Sequence, residues 1–167
     1  MNKNGNRDTQ PFVSIIMNCY NGEKYLREAI DSVYAQTYKN WGIIFWDNAS
    51  TDNSAEIVNY YDSKLRYFRG ENTITLGAAR NKALEKCDGD YIAFLDVDDL
   101  WISEKLEIQI QTMKNKPGSI FYYSDGYNLY DKKKTKMKFS SHPNVNFYDG
   151  AIFNKLILSN FINWQTV

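Results

Sequence analysis

Apolar and polar positions fall into blocks along the chain. Phe12–Met17 is a nearly unbroken apolar run with Val and Ile, cut off by polar Asn18, Tyr20, Asn21 and Gly22. Such a run predicts a buried strand that ends in a loop. From Glu23 to Gln36 the apolar residues Leu26, Ile30 and Val33 recur at helical spacing, which predicts a helix. Trp41–Trp46 is a second apolar strand, broken off by Asp47, Asn48, Ala49 and Ser50. A helix over Asp52–Tyr61 follows, with Ser50 or Asp52 as its cap and Ile57, Val58 and Tyr61 facing inward. Leu65–Phe68 reads as a short third strand, Leu76–Lys86 as an alanine-rich helix, and Tyr91–Leu95 as a fourth strand running into Asp96-Val97-Asp98-Asp99. Ser103 is placed to cap a helix striped with Leu106, Ile110 and Met113, which Pro117-Gly118 ends, and Ile120–Tyr123 reads as a fifth strand.

Strands alternating with helices imply right-handed crossovers and a mostly parallel sheet covered on both faces, so the fold class is α/β of a nucleotide-binding type. Past Ser124 the pattern changes. Asp125-Gly126 and Asp131–Lys134 look like turns between tyrosine-rich and lysine-rich short strands, a small antiparallel excursion, and a helix is expected over Asp149–Leu158. The polar stretch up to residue 11 reads as a flexible tail, and residues 12–167 as one domain.

In a parallel sheet the carboxyl ends of all strands lie on one rim, where ligands of open α/β sheets bind. Polar clusters follow three of the apolar strands here: Asn18–Asn21, Asp47–Ser50 and Asp96–Asp99. Any one of them is explained by exposure alone; three together point to a site. Three carboxylates among four residues repel one another unless a cation or hydrogen-bond donors compensate, and magnesium or manganese is the natural partner, taking one or two carboxylates with phosphate oxygens and water. Helix capping is the plainer alternative, but it needs one acid. Arg80, on a helix returning to the same rim, adds positive charge there or is simply an exposed arginine. Tyr20 offers a ring for stacking on a nucleobase, and Asp47 and Asn48 offer acceptors and donors to a base or ribose.

Composition narrows the partners. With 167 residues, 43% of them apolar, the chain is long enough for a real core. Twenty basic residues balance twenty acidic ones, so no global field draws in nucleic acid or an anionic membrane. Cys19 and Cys87 lack the spacing of a zinc or redox pair and read as reduced thiols, consistent with a cytoplasmic location. No stretch is long and apolar enough to suggest a signal peptide or a membrane span, although Lys132–Lys136 leaves room for contact with a membrane surface. His142 is the only histidine, beside Pro143 in a turn, and no Ser-His-Asp or histidine-metal set can be assembled.

Together these residues resemble the inverting, family 2 glycosyltransferases with a GT-A fold. The resemblance rests on Val13–Gly22 with Tyr25-Leu26, Ile30, Ser32-Val33 and Gln36-Thr37-Tyr38, then Asp47–Asp52, Gly77–Asn81 and Gly89–Asp99, in that order over residues 12–123. It implies that Asn18, Tyr20, Asp47 and position 48 frame the nucleotide base, that Arg80 lies near the donor, that Asp96 lies near the ribose or metal, and that Asp98 sits on the metal holding the diphosphate. The implied donor is a nucleotide-diphosphate sugar, with UDP the first choice, the cofactor Mn2+ or Mg2+, and the acceptor a carbohydrate or glycolipid in surface polysaccharide synthesis. Two departures stand out. Asn48 replaces a second aspartate usual at that position, and the family's general base has no counterpart before Val167, so it is expected beyond it. Asn163–Val167 looks like the start of the acceptor region, and the chain reads as a fragment. A sugar-nucleotide pyrophosphorylase would want a glycine-rich basic loop where Asn18–Gly22 stands; a non-catalytic metal- or sugar-binding module remains the other alternative.

Overall fold

The computed structural model describes residues 10–116, 118, 121–130 and 133–138. Contacts divide the chain into two compact units, Met1–Glu107 and Ile108–Val167. In the first, β1 (Val13–Cys19), α1 (Glu23–Tyr34), β2 (Trp41–Asp47), α2 (Ser54–Val58), β3 (Leu65–Arg69), α3 (Leu76–Leu84) and β4 (Tyr91–Phe94) alternate as the hydrophobic pattern predicts. All four strands are parallel, in the order β3-β2-β1-β4. The β1–α1–β2 and β2–α2–β3 steps run one way across the sheet and the step to β4 runs back. Right-handed crossovers therefore put α1 and α2 on one face and α3 on the other. This is the α/β architecture of the GT-A fold.

The central strands are buried on both sides because apolar residues at consecutive positions face both ways, interrupted by only Ser14 and Asn18 in β1 and Gly42 and Asp47 in β2. Ile15, Ile16, Met17, Ile43, Ile44 and Phe45 are all essentially inaccessible. On one face Ile16, Ile44 and Trp46 pack with Ala79 and Ala83 of α3. The small alanines let that helix lie close to the sheet, which carries Arg80 in with it. On the other, α1 buries Leu26, Ala29, Ile30 and Val33, one stripe at i, i+3, i+4, i+7.

Local chemistry moves several boundaries. Gln10 and Pro11 are held in place, since the Gln10 carbonyl accepts from Asn40 and the Pro11 carbonyl accepts from the Tyr38 hydroxyl. α2 is shorter than the periodicity suggests: after Val58 the chain tightens into turns bonded from Tyr60 to Ile57 and from Tyr61 to Val58. Of its three predicted inward residues only Val58 is fully buried, and the Tyr61 hydroxyl donates to Asp31. α3 likewise ends at Leu84 in turns through Lys86 and Cys87. Cys19 and Cys87 are free thiols.

α4 spans Lys105–Asn115. Its Leu106 amide is satisfied by the buried side chain of Gln36, just past the end of α1, at 3.0 Å, while the Ser103 hydroxyl donates to Glu104. In the second unit β5 (Tyr127–Tyr130) and β6 (Lys133–Lys138) form an antiparallel pair, the small excursion foreseen. Phe121–Tyr123 is not a strand. A strand needs a ladder partner, and among the described residues β5 and β6 take each other, leaving Phe121 and Tyr123 stacked ring on ring. Lys133 and Lys134, predicted as turn residues, begin β6. The helix expected over Asp149–Leu158 lies outside the described residues, as does His142.

Candidate functional site

In the order β3-β2-β1-β4 the strand sequence reverses between β1 and β4. That switch point is where a crevice opens at the carboxyl rim. The loop after β1 carries Tyr20, with its side chain half exposed at 55%. The segment from the end of β2 into α2 holds it. Asn21, whose φ of 54° is left-handed, donates its amide to the Ser50 hydroxyl at 3.0 Å and accepts from the Thr51 amide through its side chain at 2.8 Å. The Gly22 amide donates to the Ser54 hydroxyl, and Glu23 and Asp52–Asn53 exchange bonds: Glu23 N–H to Asp52, Asn53 N–H to the Glu23 carboxylate. Asp52 thus accepts from the first amide of α1 and, at 3.0 Å, from that of α2 at Ser54, although Asn53, not Ser50 or Asp52, stands at the N-cap position of α2. Burial works against its charge, yet the hydrogen bonds from Ser54 and Glu23 hold its carboxyl below the usual carboxylate range.

At the end of β2, Asp47 and Asn48 are both committed to protein partners. Asp47 is wholly buried. Its Oδ1 accepts from the Ser50 amide at 2.7 Å, and its Oδ2 accepts from the Tyr67 hydroxyl and from Arg69 Nη1, each at 2.6 Å. Burial, then the bond to Asp47, pushes the Tyr67 phenol up, so it stays a donor. The Asn48 side chain donates to the Ile74 carbonyl at 2.8 Å and accepts from the Ile74 amide at 3.1 Å. It clips the segment between β3 and α3 onto the end of β2.

α3 presents Arg80 to the β4 end, where its Nη2 lies 3.0 Å from Asp96 Oδ1. Asp98 is exposed beside them. Asp99 is pushed up to about 7, first by its burial and then by the charges of Asp98 and Asp96. Among the described residues its Oδ2 has no hydrogen-bond partner, nor has Asn18 Nδ2 on the adjoining strand end. Buried polar groups are ordinarily paired, so an orphaned donor and acceptor flanking the switch point fit residues that bind a polar ligand. Val97, between the two aspartates, packs on the β1 loop: a Cβ at Gly22 would stand 3.0 Å from it and 2.9 Å from Cys19 Sγ. Farther along, the Trp101 amide donates to Ser32, and Gln36 donates to the Ile102 carbonyl, so α1 and the turn after it anchor the chain that leaves the acidic cluster.

The structure thus sets Asn18, Tyr20, Asp47, Asn48, Arg80, Asp96 and Asp98 on one rim, and it joins Arg80 to Asp96. Tyr67 and Arg69 were not among the sequence candidates. The signal was present, since Arg69-Gly70-Glu71-Asn72 follows the third strand as polar clusters follow the other three. Among the described residues no three His, Cys, Asp or Glu side chains are gathered to cage a metal. Magnesium needs no such cage, because it retains water and takes one or two carboxylates with phosphate oxygens.

A parallel sheet with an acidic cluster, an arginine and a half-exposed tyrosine ring at its switch point defines an α/β domain with its ligand-type site at the carboxyl rim. The sequence profile described as Glycosyl transferase family 2 matches residues 14–163, and the chain belongs to that family. It is 36% identical over 152 residues to the putative teichuronic acid biosynthesis glycosyltransferase TuaG of Bacillus subtilis, covering 89% of this chain and 60% of that one. It is 35% identical over 156 residues to the Escherichia coli UDP-Glc:alpha-D-GlcNAc-diphosphoundecaprenol beta-1,3-glucosyltransferase WfgD, covering 93% and 58%. The chain therefore spans about three fifths of the length of these relatives. Among solved structures, S. aureus TarS 1–349 in complex with UDP-GlcNAc superposes with a TM-score of 0.60 at 29% identity over 62% of this chain and 31% of that one. The Pyrobaculum calidifontis mannosyltransferase PcManGT, solved with GDP-Man and Mn2+, shares the fold, with a TM-score of 0.59 at 24% identity over 64% and 33%.

Proposed function

We propose that this chain is the donor-binding part of a metal-dependent, inverting glycosyltransferase that moves a sugar from a nucleotide-diphosphate donor, UDP-sugar favoured, to an acceptor hydroxyl. The observation that carries the reading is the convergence of Tyr20, Asp47, and the Arg80–Asp96 pair with exposed Asp98 at the switch point of the sheet. Asn18, Tyr20, Asp47 and Asn48 line the base end, Tyr20 by stacking and Asp47 and Asn48 from beneath, through the neighbours their side chains hold in place. Arg80 and Asp96 form the ribose and phosphate end.

Asp98 and Asp96 would hold Mn2+ or Mg2+, whose positive charge would offset that of the departing diphosphate. Arg80 supplies a second cation close to that charge. The acceptor hydroxyl attacks the anomeric carbon from the face opposite the diphosphate, and its proton passes to a general base that we place outside the described residues. Holding the donor rigidly lowers the barrier by fixing the line of attack. The acceptor class is a carbohydrate or glycolipid, the process surface polysaccharide or glycolipid synthesis, and the location the cytoplasm or the inner membrane face. The names of two relatives support this, TuaG being named for teichuronic acid biosynthesis and WfgD for glucosyl transfer to GlcNAc-diphosphoundecaprenol. No helix among the described residues is long and apolar enough to cross a membrane.

Calorimetric titration of UDP and GDP with and without Mn2+ tests the reading, alongside Asp98→Ala. Manganese-dependent binding of one nucleotide that the substitution abolishes is the expected result. No nucleotide binding by the folded chain would overturn it.

A further inference from the structure

Asp47 has no accessible surface, whereas the Arg69 side chain above it is 46% exposed. A base docked at the β2 end therefore meets Arg69 rather than the carboxylate beneath. Arg69 is held in place. Its Nη1 lies 2.6 Å from Asp47 Oδ2 and 3.4 Å from the Tyr67 hydroxyl, and its Nη2 donates to the Ser50 carbonyl at 2.7 Å. A guanidinium carries five N–H donors, so among the described residues this anchoring leaves donors to spare. Resting on the donor-site reading above, we propose that Arg69 is the residue that reads the donor base, and that Asp47 is a positioning residue acting through it.

Three observations favour a base over a phosphate as the ligand of Arg69. First, the pairing register sets Arg69 opposite Asp47, on the strand farthest from the acidic cluster of β4. At about 4.8 Å per strand the four ends span roughly 14 Å, room for an extended nucleoside diphosphate with its phosphates at β4 and its base at β2 and β3. Secondly, the ion pair with Asp47 cancels the charge of Arg69, which suits neutral carbonyl acceptors better than an anion. Thirdly, Tyr67 and Ser50 fix the guanidinium plane, and a planar donor set selects bases that present carbonyl oxygen, as uracil and guanine do, over those that present an amino group.

The test has a ligand arm and a protein arm, both in the presence of Mn2+. In the unmodified chain, UDP is compared with CDP and GDP with ADP, exchanges that replace a carbonyl acceptor by an amino donor. In the pair that contains the preferred nucleotide, the carbonyl member is expected to bind about tenfold tighter or more. Arg69→Lys keeps a cation beside Asp47 but not the planar fork. It is expected to reduce that preference to about threefold or less while leaving pyrophosphate binding unchanged. Adding Asp47→Asn to Arg69→Lys should change the preference no further. Equal binding within both ligand pairs, parallel loss of UDP and pyrophosphate in Arg69→Lys, or additive effects in the double variant would each overturn the assignment. These results differ from a failure of the donor-site reading itself, in which the unmodified chain binds no nucleoside diphosphate.

Discussion

An aspartate at position 48 would set a carboxylate oxygen against the Ile74 carbonyl, where Asn48 now donates an N–H at 2.8 Å. The Ile74 amide would keep its acceptor. Asn48→Asp is therefore expected to lower stability by about 1–3 kcal/mol, read as a shift in urea midpoint, while the Ile74 amide keeps its protection from hydrogen exchange. Loss of protection there would show that the clip depends on more than this side chain. Asp52 supplies a pH dependence. Its carboxyl lies below the ordinary 3.8 in the folded chain, so it stabilises the fold above the unfolded value and that contribution fades as pH falls through the folded one. Urea midpoints from about pH 6 to about pH 2.5 should fall less steeply in Asp52→Asn than in the unmodified chain; parallel curves would mean that the bonds Asp52 accepts from Glu23 and Ser54 contribute nothing measurable.

Gly22 joins two elements that sequence treats as separate, the β1 loop and the acidic cluster. A methyl group there would press on Cys19 Sγ at 2.9 Å and on Val97 at 3.0 Å. Cys19 is buried, so relief has to come from moving Val97, and Asp96 and Asp98 with it. Gly22→Ala should cost about 1–3 kcal/mol and weaken manganese-dependent nucleotide binding as well; a stability loss with unchanged binding would show that the cluster does not follow Val97. Strand and helix identities in the first unit were legible because β1 and β2 are nearly unbroken apolar runs and α1 has a single stripe. The rim was legible for the same reason, since a strand ending in polar residues advertises itself. What the sequence hid were relations across loops: the clasp of Asn21 and Glu23 on Ser50–Ser54, the cover of Tyr67 and Arg69 on Asp47, the Asn48–Ile74 pair. None has a periodicity, and each links residues 20 or more positions apart. Phe121–Tyr123 misled for the opposite reason: an apolar run states the wish to be buried but not whether a partner strand is at hand.

For the molecule as a whole, the acidic cluster sets ligand binding against stability in the free chain. Asp96, Asp98 and Asp99 crowd one turn, and Arg80 answers Asp96 at 3.0 Å. Like charges held together raise the free energy of the folded state unless a cation joins them. Removing one should therefore leave the free chain as stable as before or more so, as is common where a site is kept for function rather than for folding. Asp98→Asn is expected to unfold at the same temperature as the unmodified chain or slightly above it in the absence of ligand. Adding Mn2+ with UDP should then separate the two. A ligand that binds only the folded state stabilises it by RT ln(1 + [L]/Kd), about 2.7 kcal/mol at a hundredfold excess over Kd. For a unit of this size that raises the midpoint by on the order of 10 °C. The unmodified chain should show that rise and Asp98→Asn should not. A variant that melts markedly lower without ligand would mean that the cluster is a structural cap after all; one that retains the full rise would take Asp98 out of the metal site while leaving the nucleotide site in place.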